Sequence, residues 1–392
     1  MSPLASPTTV SAAIDQLHEE ATTVTGLDDF GSDDYLDGLE VLLEGYRSEA
    51  ALTGPGWAKI SGNLGQALRS RLCAEAQWRE TDGHGRTRPL LRPIFVTGLP
   101  RSGTTALHRL LCADPRHQGL EMWLAGAPKP RPPRESWASD DAYLETSAHV
   151  ARRVAAVDGM QGMHYLAPEA VEECWWLERQ SMRSLAFPSG AHLPTYREWL
   201  AEQDLTVTYR RHRRLLEMIG SNDQDRRWVL KNPGHLFSLA ALTAVYPDAL
   251  VVTTHRDPRR VIASVSSLTA RTSAGTSTAF TGATIGRDHL DLWSASTERY
   301  LADRDHADER RFVDVRYESF VADPVGTVAG IYAAFDLDFD DDARASVRAA
   351  DDVSHRGERR PDHQYSLAEF GLSDAEVTER FAPYLARYGA TG

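Results

Sequence analysis

Apolar positions along this chain recur with two different periods, and the change between them divides it. Through the first ninety residues the spacing is helical. YLDGLEVLLEGYRSEA sets Leu36, Leu39, Leu42 and Leu43 on one face of a 3.6-residue repeat, and WAKISGNLGQALRSRLCAEAQW does the same less strictly. Residues 1–90 are therefore expected to form a helical lead-in packed on a main domain of residues 91–392. The turn-rich RETDGHGRTRP, Arg79–Pro89, joins the two. From residue 93, short apolar runs alternate with helical patterns. Ile94–Thr97, His117–Glu121, Trp228–Lys231, Leu250–Thr254 and Phe312–Val315 read as strands. Most are continuous rather than alternating, as strands covered on both faces must be. Such an order predicts an α/β fold with a parallel sheet of about five strands flanked by helices.

Between the second and third runs, at about residues 138–220, the pattern turns helical again and aromatic side chains become frequent, in PEAVEECWWLERQSM and YREWLAEQDLTVTYRRHRRLLEMI. Most of these aromatics are expected in the core. An insert over the open end of a parallel sheet is also where the wall of a substrate pocket stands. Two stretches break the pattern. TARTSAGTSTAFTGAT (Thr269–Thr284) reads as a mobile solvated loop, and SHRGERRPDHQYS (Ser354–Ser366) as a basic island.

Composition narrows the function without naming it. With 42% hydrophobic and 25% charged residues, the 392-residue chain has the balance of a globular enzyme. Its 43 basic and 56 acidic side chains give a net charge of −13, which argues against a nucleic-acid partner. Cys73, Cys112 and Cys174 form neither a C-x-x-C pair nor a disulfide framework, and no metal centre is expected. The first thirty residues are acidic rather than leader-like, and no apolar run reaches the ~18 residues of a spanning helix. A cytoplasmic protein without a transmembrane segment is expected.

The chemistry begins at RPIFVTGLPRSGTTALHRLL, Arg92–Leu111. A buried strand runs into Gly98-Leu99-Pro100-Arg101-Ser102-Gly103-Thr104-Thr105, and a helical pattern follows. The spacing G-x-x-x-x-G is that of a P-loop, so the sheet is expected to be of P-loop type. The lysine that handles the β- and γ-phosphates of a nucleoside triphosphate is replaced by Thr104. The two glycines still allow backbone N–H groups to turn around an anion at a helix N-terminus. Arg101 and the hydroxyls of Ser102, Thr104 and Thr105 suit a phosphate group held without metal.

TGLPRSGTTALHRLL resembles the 5′-phosphosulfate loop of sulfotransferases that use 3′-phosphoadenosine 5′-phosphosulfate (PAPS). Its Arg-Ser-Gly-Thr-Thr form is similar to the branch containing tyrosylprotein and many bacterial sulfotransferases. A second element agrees. LVVTTHRDPRRVIASVSSL is a strand followed by Arg256, a helix cap at Asp257, Pro258 and a helix carrying Ser264 eight residues after Arg256. The resemblance implies that Arg256 and Ser264 hold the 3′-phosphate. RRFVDVRYESFVADPVGTVAGIYAAFDL resembles the family's late strand and Tyr-Glu pair. RRPDHQYSLAEFGL resembles its C-terminal closing segment, which places Arg359 and Arg360 near the donor.

Sulfuryl transfer needs charge stabilisation on the leaving bisphosphate, a base for the acceptor hydroxyl, and alignment of the two. Arg101 and Lys231 are the expected cations; Lys231 ends the strand in RRWVLKNPGHL, before the cap-forming Asn232 and Pro233. Two bases are available. Glu121, in GLEMW, lies twenty residues after Arg101, where the resemblance puts a catalytic Glu; His235 lies four residues after Lys231. Glu121 ranks first. His164 and His192 in the insert are further imidazoles with weaker claims. The co-substrate is PAPS and the acceptor a hydroxylated small or lipid-like molecule. The alternatives are a P-loop small-molecule kinase and a non-catalytic nucleotide-binding protein.

Overall fold

The structure, a computed structural model, describes residues 9–81, 90–156, 167–355 and 366–389. Its centre is one sheet of β1 (Ile94–Gly98), β2 (His117–Gln118), β3 (Arg227–Lys231), β4 (Leu250–His255) and β5 (Phe312–Arg316), in the order β2-β3-β1-β4-β5. Every pairing is parallel. Ile94, Phe95 and Val96 of β1 face Val229, Leu230 and Lys231 of β3 on one side, and Leu250, Val251 and Val252 of β4 on the other. Four of the strands lie within one residue of the apolar runs that predict them; β1 and β4 are buried along their whole length, while β5, at the edge of the sheet, exposes Asp314.

The second strand is shorter than expected and stops at Gln118. The backbone beyond it bonds elsewhere. Arg131 Nη2 donates to the Gly119 carbonyl at 2.8 Å, the Glu172 N–H donates to the Leu120 carbonyl at 2.7 Å, and Glu121 forms an antiparallel bridge with Val171. Glu121 is thus the cap position of the helix Met122–Gly126 and not a strand residue.

Side chains alternate between two apolar layers, as the strand period requires. Phe95, Leu230 and Val251 point into a large cluster that takes in the N-terminal helices Val10–Thr25, Leu36–Ser48 and Gly54–Thr81. Leu39, Leu42 and Leu43 are buried there, on the face that their helical spacing marks. Ile94, Val96, Val229 and Val252 point into the other layer, against Leu107 and Leu111 of the helix Thr104–Cys112 and Ile331 of the helix Pro324–Ala334. Between β2 and β3 the insert holds the helices Asp141–Ala156, Trp175–Glu178, Pro194–Ala201 and Thr206–Ile219. Tyr196 and Tyr209 are buried in it, while Trp175 and Trp176 stay half-buried.

The Ser/Thr-rich stretch is not the free loop its composition predicts. The helix Pro258–Thr272 continues into it, and its tip is clasped by the N-terminal region. Leu52 bridges Ser277, the Thr53 N–H donates to the Thr276 carbonyl at 3.1 Å, and Ser277 Oγ donates to the Ala50 carbonyl at 2.7 Å. Buried Ser277 satisfies a backbone group across the chain, while Thr272, Thr278 and Thr281 stay exposed. Most of the basic island, including Arg359 and Arg360, and His164 lie outside the described residues. Among the described residues, no helix is long and apolar enough to cross a membrane.

Candidate functional site

The strands β1, β3 and β4 are neighbours, and their C-terminal ends open on the same edge. The chain leaves β1 toward β2 on one side and β4 toward β5 on the other, which makes this edge a crevice of the kind where open α/β sheets bind ligands. Gly98 ends β1 at φ 137°, and a Cβ there would lie 2.4 Å from the Thr254 carbonyl oxygen. The glycine is what lets the loop leave so close to β4. Arg101 follows at φ 64° and Gly103 at φ 90°. A left-handed arginine is a strained residue that its surroundings must hold. Ser102 does part of this from inside, through its Oγ contacts with the Leu99 carbonyl and with Thr254 Oγ1, the latter at 2.6 Å. Pro100 and Thr105 are half-buried on the rim, Thr104 is buried, and no side chain caps the helix that begins at Thr104. Its first N–H groups have no intrahelical acceptor.

Arg256, one residue past β4, closes the loop from the other side. Its Nη1 donates to the Arg101 carbonyl at 2.6 Å, and its guanidinium lies 4.0 Å over the ring of Tyr317. Arg101 in turn donates from Nε to Ser264 Oγ at 3.3 Å. The expected strand-to-helix turn is present: Asp257 caps the helix by accepting from the Arg259 N–H, and Pro258 is its first residue. Asp257 pairs with Arg259 at 2.7 Å, so the acid next to Arg256 in sequence is not its partner. Among the described residues Arg256 Nε is buried without a hydrogen-bond acceptor. Tyr317 carries more of the site than the sequence assigned it. It also borders Gly103, where a Cβ would meet Tyr317 at 3.3 Å and Phe320 at 3.2 Å. The available signal was its place, immediately after β5 on the same edge.

Lys231 ends β3 and is 2% exposed. Its ammonium donates to Thr105 Oγ1 at 3.1 Å and forms an ion pair with Glu173. This joins the loop, β3 and the insert at one point. Asn232 caps the short turn Pro233–Leu236 by accepting from the Gly234 N–H, as predicted.

The two expected bases are placed differently. Glu121 accepts from Arg131 Nε and Nη2 at 3.1 and 2.9 Å; Arg131 is itself buried and also holds Asp223 at 2.8 Å. The carboxylate on Lys231 is that of Glu173, not Glu121. His235 is 0% exposed, its Nδ1 2.6 Å from the Tyr209 hydroxyl and its ring edge-on to Phe95. Burial holds its pKa well below the usual histidine range. A fully enclosed neutral imidazole meets no acceptor hydroxyl in this conformation. His192 pairs with Asp288 at 2.7 Å, between the insert and the helix Gly282–Arg304.

Nothing local in the sequence marks Glu173. It sits in PEAVEECWWLERQSM beside Glu172, Trp175 and Trp176, where the aromatic side chains are the stronger signal. Burial pushes the Glu172 carboxyl upward, with the Glu173 charge adding to it and Lys231 opposing. Trp175 and Trp176 stack with ring centroids 4.7 Å apart, and the buried guanidinium of Arg179 lies 4.1 Å over Trp176. A cation and its partner carboxylate thus stand next to the phosphate-type loop, with the stacked tryptophans two and three residues further along the chain from Glu173.

Comparison with known proteins agrees with this geometry. The model of the Sulfotransferase family matches residues 93–341. Two curated proteins, the omega-hydroxy-beta-dihydromenaquinone-9 sulfotransferases Stf3 of Mycobacterium bovis and Mycobacterium tuberculosis, are each 29% identical over 253 residues. The match covers 61% of this chain and spans 61% of the length of those relatives. Among solved structures, sulfotransferase STF1 from Mycobacterium tuberculosis H37Rv superposes with a TM-score of 0.87 at 48% identity, covering 94% of this chain and 98% of that one. Sulfotransferase STF9 from Mycobacterium avium gives 0.85 at 26% identity, covering 95% and 96%.

Proposed function

Because the chain belongs to the sulfotransferase family, we propose that it moves a sulfuryl group from PAPS to a hydroxyl of a small or lipid-like acceptor. The observation that carries this is the meeting of three elements on one edge: the Gly98–Thr105 loop, the Arg256–Ser264 pair bonded to that loop, and Lys231 with Glu173. The residues present fit the donor. The uncapped helix at Thr104 and the loop it follows offer N–H groups to a 5′-phosphate, and Arg256 has a buried Nε with no acceptor among the described residues. Ser264 lies within reach of the same cations and, with Arg256, would hold the 3′-phosphate.

Bound PAPS supplies the activated sulfuryl group. The protein's part is charge and protons. Lys231 and Arg101 set two cations where negative charge develops on the departing bisphosphate. Glu173, paired with the Lys231 ammonium, is the carboxylate that takes the acceptor's proton in this reading. Glu121 anchors Arg131 and with it the segment after β2. Trp175 and Trp176, two and three residues past Glu173, offer an apolar shelf to an acceptor. The name of the Stf3 relatives, which specifies an omega-hydroxylated dihydromenaquinone, supports an apolar alcohol as the acceptor class.

The kinase alternative is separated by a thermal-shift experiment. 3′-Phosphoadenosine 5′-phosphate without Mg²⁺ should raise the melting temperature, since a ligand at 100 times its Kd adds about 2.7 kcal/mol. ATP with Mg²⁺ should do markedly less. The reverse order would overturn the assignment.

A further inference from the structure

Glu178 takes no part in the chemistry above, yet it is one of the most enclosed carboxylates in the described structure. It is 6% exposed, and both its oxygens accept from Asn232 Nδ2, at 3.0 and 2.8 Å. The other end of that amide is fixed as well, because Asn232 Oδ1 accepts from the Gly234 N–H at 3.0 Å. Asn232 therefore has a donor side and an acceptor side that cannot be exchanged. Its neighbour in the chain is Lys231.

The segment that carries Glu178 touches this turn at two further points. The Cys174 N–H donates to the Lys231 carbonyl at 2.9 Å, and Glu173 pairs with the Lys231 ammonium. The turn is also tied to β1, through the Asn232 N–H to the Val96 carbonyl at 3.2 Å and Thr97 Oγ1 to the Asn232 carbonyl at 3.0 Å. We propose that Glu178 is a positioning residue: by holding Asn232 it fixes residues 173–178 against the end of β3, and so sets Glu173 and Lys231 in register with each other. The proposal rests on the reading of Lys231 and Glu173 as the reacting pair.

The cost of burying this carboxylate is visible in its surroundings. Its pKa is pushed up to about 7, by burial first, with the Asn232 bond opposing. Glu173 raises it further, and among the described residues no cation is paired with it directly. From other elements it faces His235, whose Nδ1 lies 3.6 Å away and is already 2.6 Å from the Tyr209 hydroxyl. An apolar residue or a neutral amide would be cheaper at this site if filling space were the only need. Facing the Nδ2 side of the amide, the carboxyl accepts from it with either oxygen, which is what reads the orientation of Asn232.

The test is single-turnover transfer at saturating PAPS in Glu178→Gln, Asn232→Asp and the double variant, with melting temperature and 3′,5′-bisphosphate affinity recorded for each. Asn232→Asp sets two carboxylates face to face and should slow the step by on the order of 10- to 100-fold, the effect of a small misplacement of reacting groups. The double variant exchanges donor and acceptor, with the amide introduced at position 178 donating to the carboxylate introduced at position 232. It should recover most of that loss. Bisphosphate affinity should stay within about threefold. Full activity in both single variants, no recovery in the double variant at an unchanged melting temperature, or losses that only track melting temperature would each overturn the proposal. Lys231→Ala runs in parallel. If it keeps its rate, the reading of the reacting pair fails instead, and the two failures are told apart.

Discussion

At the scale of single residues, the two carboxylates near the site give opposite expectations. Glu173→Gln keeps shape and hydrogen bonding but removes the proposed base, and a lost general base costs about 10²–10⁴ in rate. Single-turnover rates should fall by that order while donor affinity barely changes. Glu121→Gln leaves the buried Arg131 short of one of its two carboxylates, so it should lower the melting temperature more than the chemical rate. The opposite pattern, measured on the same two proteins, would return the base to Glu121. Arg256 makes a cleaner case. A charge-assisted bond to phosphate contributes roughly 1.5–3 kcal/mol, so Arg256→Ala should weaken 3′,5′-bisphosphate binding about 10- to 100-fold in calorimetry. Adenosine 5′-phosphosulfate, which lacks the 3′-phosphate, should be indifferent. Residues whose position follows from the local turn were legible in the sequence: Arg256, Asp257 and Ser264 ride one strand–turn–helix unit. Glu173 was not, because it reaches Lys231 across 58 positions of chain, through the packing of the insert on β3.

At the scale of elements, the apolar runs announced the sheet, and the turns announced their own caps at Asn232 and Asp257. Composition misled where hydroxyl side chains serve other parts of the backbone. Ser277 is the clearest instance. Its Oγ donates to the Ala50 carbonyl at 2.7 Å and accepts from the N–H groups of Ala279 and Phe280 at 3.0 and 2.9 Å. No local signal distinguishes such a serine from one in a solvated loop, since its principal partner lies 227 residues away. Ser277→Ala leaves these buried groups unpaired, at about 1–3 kcal/mol. Denaturant unfolding should show that loss, with faster proteolysis between residues 273 and 281 under native conditions. Unchanged protection there would mean that the clasp contributes little.

At the scale of the whole molecule, buried histidines set the response to acid. Burial holds His108 and His212 neutral with pKa values of about 3, His289 at about 4, His117 below the usual value and His235 well below it. Between about pH 4 and 6.5 the unfolded chain binds protons at these five positions more readily than the folded chain, so folding stability rises with pH and is lost as pH falls through 6.5. Glu178, at about 7, acts in the other direction: the folded chain keeps a proton that the unfolded chain has released, and its contribution declines as pH rises to 7. Glu172, Asp288 and Asp303, also raised by burial, add to that side. Each group is worth up to about 1.4 kcal/mol per pH unit within its window, so five histidines outweigh four carboxyls. Calorimetry should give a lower melting temperature at pH 5 than at pH 7; an equal or higher one would contradict the assignment. The clasp between Ala50–Thr53 and Thr276–Thr278 also has a consequence in time. At ~5–20 residues per second of synthesis, roughly ten to forty-five seconds separate the two halves of the clasp at the ribosome. Throughout that interval the Ala50 carbonyl and the Thr53 N–H are without the partners that residues 276 and 277 bring. Arrested nascent chains ending before Ser277 should therefore be cleaved near Ala50–Thr53, and those extended past the helix Gly282–Arg304 should be protected there.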